Sequence, residues 1–288
     1  MFSQHHKTLQ MNIKVIKASG DTELFSSEKL ERSLLRSGAN DETVEEIVKD
    51  IESWLTDGVT TKKIYSRAFA LLRRKKRTLA ARYSLKRAIM ELGPTGHPFE
   101  YLVGEVFKHF GYDIEVGQII EGRCVTHEVD VLFTGNKEQG YVECKYYNSG
   151  GKFANVQVSL YIRSRVNDII DKRKLLPEYC GFDFHGWVVT NTRFTGDAMS
   201  FGICSGLNLM SWDFPENNSL KGNVEKYNIF PITVLTELTK SEKSQLLDKG
   251  IVLCRQLKEH QNKLTRVVGD NEKKIKRIMM EVADLCYE

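Results

Sequence analysis

Two short runs of alternating residues, joined by a tight turn, constrain the fold of this chain more than any other feature. Residues 125–148 read VTHEVDVLFTGNKEQGYVECKYYN, and the TGN at 134–136 is typical of a turn between two strands. Side chains alternate along a strand. The first run therefore turns its apolar residues to one face and Asp130 to the other. The segment predicts an antiparallel β-hairpin.

The second run of this hairpin places a carboxylate and an ammonium group side by side. Glu143 and Lys145 are two residues apart and share a face, while Cys144 points to the opposite one. Together with Asp130 they form a cluster suited to phosphodiester hydrolysis. Two carboxylates bind a hard cation such as Mg²⁺, which activates water, and a lysine orients that water or neutralises developing charge. The alternative is a ladder of salt bridges on an exposed strand.

A helix predicted over residues 99–110 precedes the hairpin and carries two glutamates. The 100° step of a helix puts Glu100 about 90° from the centre of the apolar stripe, and Glu105 about 130° from it. We therefore expect Glu100 to border the buried face, within reach of the charged cluster. Glu105 is expected to face solvent.

The remaining pattern predicts an α+β or α/β protein with three regions. The first is a small helical unit with short strands over 13–93, ended by the GPTGHP linker at 93–98. The second, over 97–215, is a mixed sheet flanked by helices. The third, over 232–288, is helical. In the second region we expect strands near 112–120, 124–133, 140–147, 186–190 and 207–211, and helices near 153–171 and 195–204.

The order of motifs in the second region resembles the PD-(D/E)XK nucleases, and most closely the Mrr-type restriction endonucleases. The matching positions, in chain order, are Phe99-Glu100, Gly111-Tyr112, Asp130, Glu143-Cys144-Lys145 and Gln157. The resemblance implies a restriction endodeoxyribonuclease that acts on double-stranded DNA.

The same resemblance implies a role for each matching side chain. Asp130 and Glu143 would hold Mg²⁺ or Mn²⁺ with help from the backbone carbonyl of Cys144. Lys145 would position the attacking water. Two further residues would be accessory catalytic groups, Glu100 and Gln157.

The first region resembles the ATP-cone, a regulatory domain of ribonucleotide reductases and of their transcriptional repressor. The matching stretches are Val15 with Lys17, Phe25 with Lys29, RSLLRSGA at 32–39, DGVTTKKIY at 57–65 and AARYSLKRAI at 80–89. The resemblance implies that ATP or dATP binds here as a regulatory ligand.

A triphosphate needs cationic ligands and backbone donors. Lys17 and Lys29 are therefore the candidate phosphate ligands, and Glu23 and Thr61 the candidate contacts to nucleoside or phosphate groups. Val15 belongs to the same strand motif and is counted among the nucleotide-binding residues. The family usually has arginine after the first lysine, whereas this chain has Ala18, which predicts weaker binding or a changed nucleotide preference.

Charge and cysteine content restrict the ligands and the cellular compartment that the sequence indicates. The net charge is only +4, but residues 73–77 read RRKKR, which is typical either of a solvated helix face or of a DNA contact. The six cysteines form no CxxC pair, so a zinc site is not indicated and a reducing cytoplasm is expected. No apolar run reaches the roughly 18 residues of a membrane span, and no membrane partner is expected.

The C-terminal region leaves three interpretations open. It faintly resembles helix-hairpin-helix repeats, which present backbone amides to DNA phosphates. Packing against the nuclease core or against a second copy of the chain is equally compatible with its pattern. A homodimer would explain cleavage of both strands of a duplex.

For the whole chain, the sequence predicts a Mg²⁺-dependent DNA endonuclease regulated by ATP or dATP. Two alternatives remain: a nucleotide-responsive DNA-binding regulator without catalytic activity, and a nuclease fold retained only for binding. The first would resemble the reductase repressor, but that protein has a zinc ribbon and this chain has no paired cysteines to build one.

Overall fold

The structure is a computed structural model that describes residues 12–17 and 19–287. The chain divides into two compact units, residues 1–84 and 85–288. Within the described part of the chain, no helix is both long enough and apolar enough to cross a membrane.

The N-terminal unit is a small three-stranded sheet covered by four helices. Strand order is β2-β1-β3, with β1 antiparallel to β2 and parallel to β3. Its elements are β1 (Lys14–Ile16), β2 (Thr22–Leu24), α1 (Ser27–Leu35), α2 (Asp41–Trp54), β3 (Val59–Thr60), α3 (Thr61–Lys75) and α4 (Arg77–Tyr83). The buried residues of α2 recur with the period of a helix, at Val44, Ile47, Val48 and Ile51.

The basic run at 73–77 lies at the end of α3 and the start of α4. Its first four side chains are exposed, and Lys75 forms an ion pair with Glu46 of α2. Cations at a helix C-terminus also interact favourably with the helix dipole. These contacts agree with the solvated helix face that the sequence left open.

The segment from residue 77 to residue 90 forms two helices and not one continuous helix. The chain leaves helical geometry at Ser84, where φ is −89° and ψ is 0°, and α5 (Leu85–Met90) follows. Burial explains the break, because Leu85, Ala88 and Ile89 pack inside the second unit. There the Thr233 hydroxyl donates a 2.6 Å hydrogen bond to the Ala88 carbonyl.

The second unit contains the predicted mixed sheet flanked by helices. Its elements after α5 are α6 (His97–His109), β4 (Asp113–Glu121), β5 (Thr126–Gly135), β6 (Glu138–Lys145), β7 (Phe153–Ala154), α7 (Val156–Arg173), β8 (Asp183–Thr190), β9 (Arg193–Phe194), α8 (Gly196–Cys204), β10 (Leu207–Met210), α9 (Leu220–Lys226), α10 (Lys240–Asp248), α11 (Gln256–Glu259), α12 (Gln261–Val268) and α13 (Glu272–Cys286). The predicted fold class is confirmed, and the short β7–β9 pair was not expected.

The central sheet has the order β10-β8-β6-β5-β4. Strands β4, β5 and β6 are antiparallel neighbours, whereas β8 runs parallel to both β6 and β10. The predicted hairpin is β5–β6, and its two-residue turn consists of Asn136 and Lys137, both with positive φ. Such turns match the natural twist of paired strands, so the turn fixes the register of the two charged strands.

Helices cover both faces of this sheet. Phe133 of β5 stacks on Phe107 of α6, with 4.9 Å between ring centroids. The preceding residue, Leu132, belongs instead to the core cluster formed with Ile162 and Val166 of α7. Because successive side chains of a strand point to opposite faces, α6 lies on one face and α7 on the other.

The C-terminal region packs against α6 of its own chain. Arg255 forms an ion pair with Glu105 of α6 and a 2.9 Å hydrogen bond with His109, and Gln256 donates to the Tyr101 hydroxyl at 3.2 Å. The expectation that Glu105 faces solvent was wrong, since its side chain is only 13% exposed. The C-terminal residues supply the covering surface that the helical angle alone did not reveal.

Candidate active site

Three predicted residues converge where β5 and β6 leave their ladder. The paired positions run from Gly135 opposite Glu138 to Val131 opposite Val142, and Asp130 is the next residue on β5. Its Oδ2 accepts a 2.7 Å hydrogen bond from the backbone amide of Cys144. The Asp130 carboxylate is thereby fixed beside the segment that carries Glu143 and Lys145.

The opposite neighbour of Asp130 is also irregular. The β4–β5 register leaves Gly117 opposite Asp130 but outside the ladder, with a φ of +66°. A positive φ of this kind favours glycine. The backbone of β4 thus departs from regular strand geometry at the position that flanks the predicted catalytic aspartate.

Glu143 is buried and fully engaged by two cations. Its side chain is 8% exposed, and its Oε1 accepts from Lys145 Nζ at 2.5 Å. The other oxygen, Oε2, accepts from Arg165 Nη1, also at 2.5 Å. A buried carboxylate is tolerated only when it is paired and hydrogen-bonded, and these two partners meet that requirement.

Burial and the neighbouring carboxylates shift the pKa values of the charged groups in this cluster. Burial, followed by the charge of Glu143, raises the pKa of Asp130 to about 7. Burial alone would lower the pKa of Lys145, but its hydrogen bond with Glu143 and the nearby carboxylates outweigh burial and raise it. Lys145 is therefore a cation at neutral pH, whereas Asp130 changes charge in that range.

Glu100 lies at the edge of this cluster, on the first turn of α6. Its side chain is 19% exposed, and its Oε2 lies 3.4 Å from His97 Nδ1. Burial raises the pKa of Glu100, and the charges of Glu128 and Glu143 add to the increase. Glu100 thus feels the same negative field as Asp130, as its predicted position at the border of the buried face suggests.

Two other predicted residues have different surroundings. Gln157 is exposed on the first turn of α7, where its Oε1 accepts a 3.5 Å hydrogen bond from Asn155. Cys144 turns its side chain away from the charged face, and burial raises the pKa of its thiol well above the usual range. A neutral thiol is a poor metal ligand, and it is the backbone amide of Cys144 that contacts Asp130.

Arg165 was missed by the sequence reading. It lies on α7, eight residues after Gln157 and four after Tyr161, which places all three on one side of the helix. The signal was therefore present as a basic residue at helical spacing from a motif residue. Nothing local in the sequence shows, however, that α7 crosses the β5–β6 hairpin at this point.

The donor set fits a divalent cation. Among the residues that the structure describes, no cluster of three or more His, Cys, Asp and Glu side chains is arranged to hold a metal. Asp130 and Glu143 nevertheless supply two adjacent carboxylates, and the pKa of Asp130 is raised first by burial and then by the charge of Glu143, both of which a bound cation would offset. Hard oxygen ligands of this kind suit Mg²⁺ or Mn²⁺.

The predicted nucleotide-binding residues gather around one carboxylate in the N-terminal unit. Glu23 Oε2 lies 2.9 Å from Lys17 Nζ and 3.3 Å from Lys29 Nζ. The hydrogen bond with Lys17 is the main reason that the pKa of Glu23 is lowered, and it also raises the pKa of Lys17. Both lysines are exposed enough to meet a phosphate group.

The sheet of this unit brings the other two residues to the same place. Val15 is buried in the core and pairs with Glu23 on one side and Val59 on the other. Ile16 pairs with Thr60, so the next residue, Thr61, follows the strand end nearest Lys17. Ala18, at which the chain departs from the family's usual arginine, lies outside the described residues.

Two family models match the chain. Residues 13–91 match the ATP cone domain, which confirms the predicted ATP-cone, a domain that implies a nucleotide ligand. Residues 230–286 match the model described as AF1548-like, C-terminal, which covers the segment packed against α6.

Known relatives share the fold of much of the chain. An uncharacterized protein of Archaeoglobus fulgidus is 26% identical over 179 residues, which is 62% of this chain and 97% of that protein. The crystal structure of AF1548, a protein of unknown function, aligns with a TM-score of 0.53 and 25% identity over 67% of this chain and 98% of its own. The structure of Can2 from Sulfobacillus thermosulfidooxidans, solved in complex with cyclic tetra-adenylate, aligns over 72% of this chain and 64% of its own at 15% identity. Its TM-score of 0.33 is too low to establish a shared fold.

Proposed function

We propose that this protein is a Mg²⁺-dependent endonuclease that hydrolyses phosphodiester bonds in double-stranded DNA and is regulated by ATP or dATP. The observation that carries the proposal is the convergence of Asp130, Glu143 and Lys145 at the end of the β5–β6 ladder. The motif order that resembles Mrr-type restriction endonucleases supports DNA as the substrate.

Asp130, Glu143 and the backbone carbonyl of Cys144 would hold the cation, either Mg²⁺ or Mn²⁺. When bound, the cation would polarise a phosphoryl oxygen and increase the acidity of the attacking water. The protein's own part is to keep two carboxylates close together. The hydrogen bond from the Cys144 amide holds Asp130 in place. Burial and the ion pairs with Lys145 and Arg165 hold Glu143 in place.

Lys145 is the group that would act on the attacking water and on the charge of the transition state. Its ammonium is one-third exposed and hydrogen-bonded to Glu143, so it is oriented at the site and still accessible from solvent. Because its pKa is raised, it stays protonated and can donate a hydrogen bond. Glu100 and Gln157 would be accessory groups, Glu100 by adding negative charge near the cation and Gln157 from the start of α7.

The balance of charge also favours a cation together with a phosphate. Asp130, Glu143 and Glu100 carry three negative charges when ionised, against two positive charges on Lys145 and Arg165. A divalent cation turns this deficit into a surplus that attracts a phosphodiester. Cleavage of both strands would then need two copies of the site, which a homodimer would provide.

Regulation would begin at the cluster of Lys17, Glu23 and Lys29. A triphosphate would compete with Glu23 for the two ammonium groups and would offer more charge than a single carboxylate does. Nucleotide binding changes cleavage only if the two states of the protein bind the nucleotide with different affinities. A regulatory role therefore requires that ATP or dATP change the rate of DNA cleavage.

The direct test is cleavage of supercoiled and linear DNA by the purified protein in Mg²⁺, with and without a chelator and each nucleotide. Glu143→Gln and Lys145→Met should each lower the rate by at least about 100-fold. Matched controls are Glu115→Gln and Lys174→Met, which remove the same charges from exposed positions on β4 and at the end of α7. They should retain the rate of the wild type.

Equal rates for wild type and Glu143→Gln would overturn the proposed active site. If the wild type binds DNA in a nucleotide-dependent way but never cleaves it, the chain is a DNA-binding regulator instead. A trace contaminant nuclease would be exposed by residual cleavage that is the same in all five proteins.

A further inference from the structure

Arg165 connects the helix α7 with both strands of the catalytic hairpin. Its Nη1 donates to Glu143 Oε2 at 2.5 Å and to the Glu128 carbonyl oxygen at 2.9 Å. Its Nη2 donates to the Tyr161 hydroxyl, and its guanidinium lies 4.6 Å from the centroid of the Tyr161 ring. With a side chain only 14% exposed, Arg165 is part of the site and not of its surface.

Both oxygens of Glu143 already accept a hydrogen bond from a charged side chain. Oε1 accepts from Lys145 and Oε2 from Arg165. Each oxygen keeps a second lone pair, but a divalent cation bound there would lie close to both positively charged donors. Like charges at one carboxylate also repel each other, so the arrival of a divalent cation disfavours the arrangement in which both donors stay.

Arg165 is the donor that can leave at lower cost. If it releases Glu143, it still has the Glu128 carbonyl and the hydroxyl and ring of Tyr161 as partners. Within the described part of the chain, the hydrogen bond of the Lys145 ammonium is to Glu143 alone. Lys145 also shares strand β6 with Glu143, whereas Arg165 belongs to a separate helix.

The guanidinium is incompletely satisfied where it lies. Its Nε is buried and has no hydrogen-bond partner, although Nη1 serves two acceptors. A buried donor without a partner is costly. Arginine presents its donors as a planar fork that matches the oxygens of a phosphate, so a phosphate would use this group more completely than Glu143 does.

We propose, on the basis of the nuclease function proposed above, that Arg165 exchanges partners during the reaction. Without a cation it holds the carboxylate of Glu143. When a cation binds Glu143, the guanidinium turns to a phosphate oxygen of the substrate strand, held meanwhile by Tyr161 and the Glu128 carbonyl. Arg165 is thus a competitor of the cation before DNA binds and a phosphate ligand afterwards.

If Arg165 exchanges Glu143 for a phosphate, its removal should change two properties of the whole chain in opposite directions. Calorimetric titration with Mn²⁺ in the absence of DNA should show that Arg165→Met binds the cation on the order of tenfold more tightly than wild type, because a competing charge is gone. At saturating Mn²⁺, the same variant should cleave DNA about 100-fold more slowly, because a phosphate donor is gone.

Two further variants serve as controls. Arg165→Lys keeps the charge but loses the fork, so it should resemble wild type in cation affinity and recover only part of the cleavage rate. Arg163→Met removes the same charge from α7 two residues away, on a different side of the helix. It should leave the Mn²⁺ affinity unchanged. Melting temperatures identify any variant that fails to fold.

The outcomes separate the alternatives. If Arg165→Met weakens both cation binding and cleavage while Arg165→Lys remains folded, the residue only supports the structure and the exchange is refuted. If the Mn²⁺ affinity and the cleavage rate of Arg165→Met both rise, Arg165 competes with the cation but never binds phosphate, which also refutes the exchange. If wild type cleaves no DNA, the proposed function fails. The exchange is then judged by DNA affinity in Mn²⁺, where Arg165→Met must reduce the salt slope by about one phosphate contact.

Discussion

The carboxylate of Asp130 accepts a hydrogen bond from the backbone amide of Cys144, with 2.7 Å between Oδ2 and N. This bond joins the two strands at the position where their regular pairing stops. The backbone thereby holds Oδ2 of Asp130 in place, and Oδ1 is not part of this hydrogen bond. The behaviour of the site with pH and with substitution follows from this arrangement.

Cation affinity should rise with pH. Burial and the Glu143 charge raise the pKa of Asp130 to about 7, above its ordinary value of 3.8. The folded protein therefore holds this proton more tightly than the unfolded chain, and the stability gained from it is present at low pH and lost as pH rises through about 7. A cation needs the deprotonated carboxylate, so calorimetry between about pH 6 and 8 should show Mn²⁺ affinity rising by up to about tenfold per unit.

Asp130→Asn tests the origin of that dependence. It keeps the size of the side chain but cannot ionise, so the metal-free protein should lose the fall in melting temperature between about pH 4 and 7. The variant should also lose most of its Mn²⁺ affinity at every pH. A pH profile identical to that of wild type would show that another group titrates.

Cys144→Ala should leave cleavage within about threefold of wild type. The backbone amide of Cys144 contacts Asp130, and the substitution keeps both this amide and the carbonyl proposed to hold the cation, while the buried thiol faces the core. The small cavity should lower the free energy of unfolding by about 1 kcal/mol. The check is urea unfolding together with the cleavage assay, and a loss of activity as large as that of Glu143→Gln would mean that the thiol takes part in the chemistry.

Lys17→Ala should abolish most of the stabilisation by nucleotide. At millimolar ATP or dATP the wild-type melting temperature should rise by mass action, and the variant lacks an ammonium group that meets the phosphates. Lys14→Ala is the matched control, because Lys14 is exposed on the same strand and its backbone amide, not its side chain, binds Asp57. Equal shifts in all three proteins would place the nucleotide elsewhere.

Glu105→Gln should destabilise the second unit by about 1–2 kcal/mol. The substitution leaves Arg255, which is 29% exposed, without its carboxylate partner on α6. Glu115→Gln, on an exposed position of β4, should cost less than about 0.5 kcal/mol. Urea unfolding measures both, and equal effects would show that the ion pair contributes nothing beyond surface charge.

The sequence predicted those features of the site that depend on local pattern. Alternation in β5 and β6 assigned Glu143 and Lys145 to one face, and the turn expected near 134–136 lies at Asn136 and Lys137. The helical angle of Glu100 placed it at the border of the buried face, and its raised pKa reflects that position. Each of these inferences uses residues close together in the chain.

The features that were not predicted depend on contacts between distant residues. Glu105 is covered by Arg255, 150 residues away, and Arg165 reaches Glu143 from 22 residues away. The break at Ser84 arises because α5 is buried in the second unit, although its sequence continues the helical pattern of α4. No periodicity in the sequence reports which element will lie opposite a given face.

The packing of Arg255 and Gln256 on α6 has a consequence for any shortened form of the protein. The helix that carries Glu100 also carries Tyr101, Glu105 and His109, each of which has a hydrogen bond with Arg255 or Gln256. Cutting the chain before residue 230 would uncover this side of the helix and remove Arg255, the closer of the two cationic partners of Glu105. The last sixty or so residues therefore support the helix that borders the candidate active site, and deleting them would test folding before it tested activity.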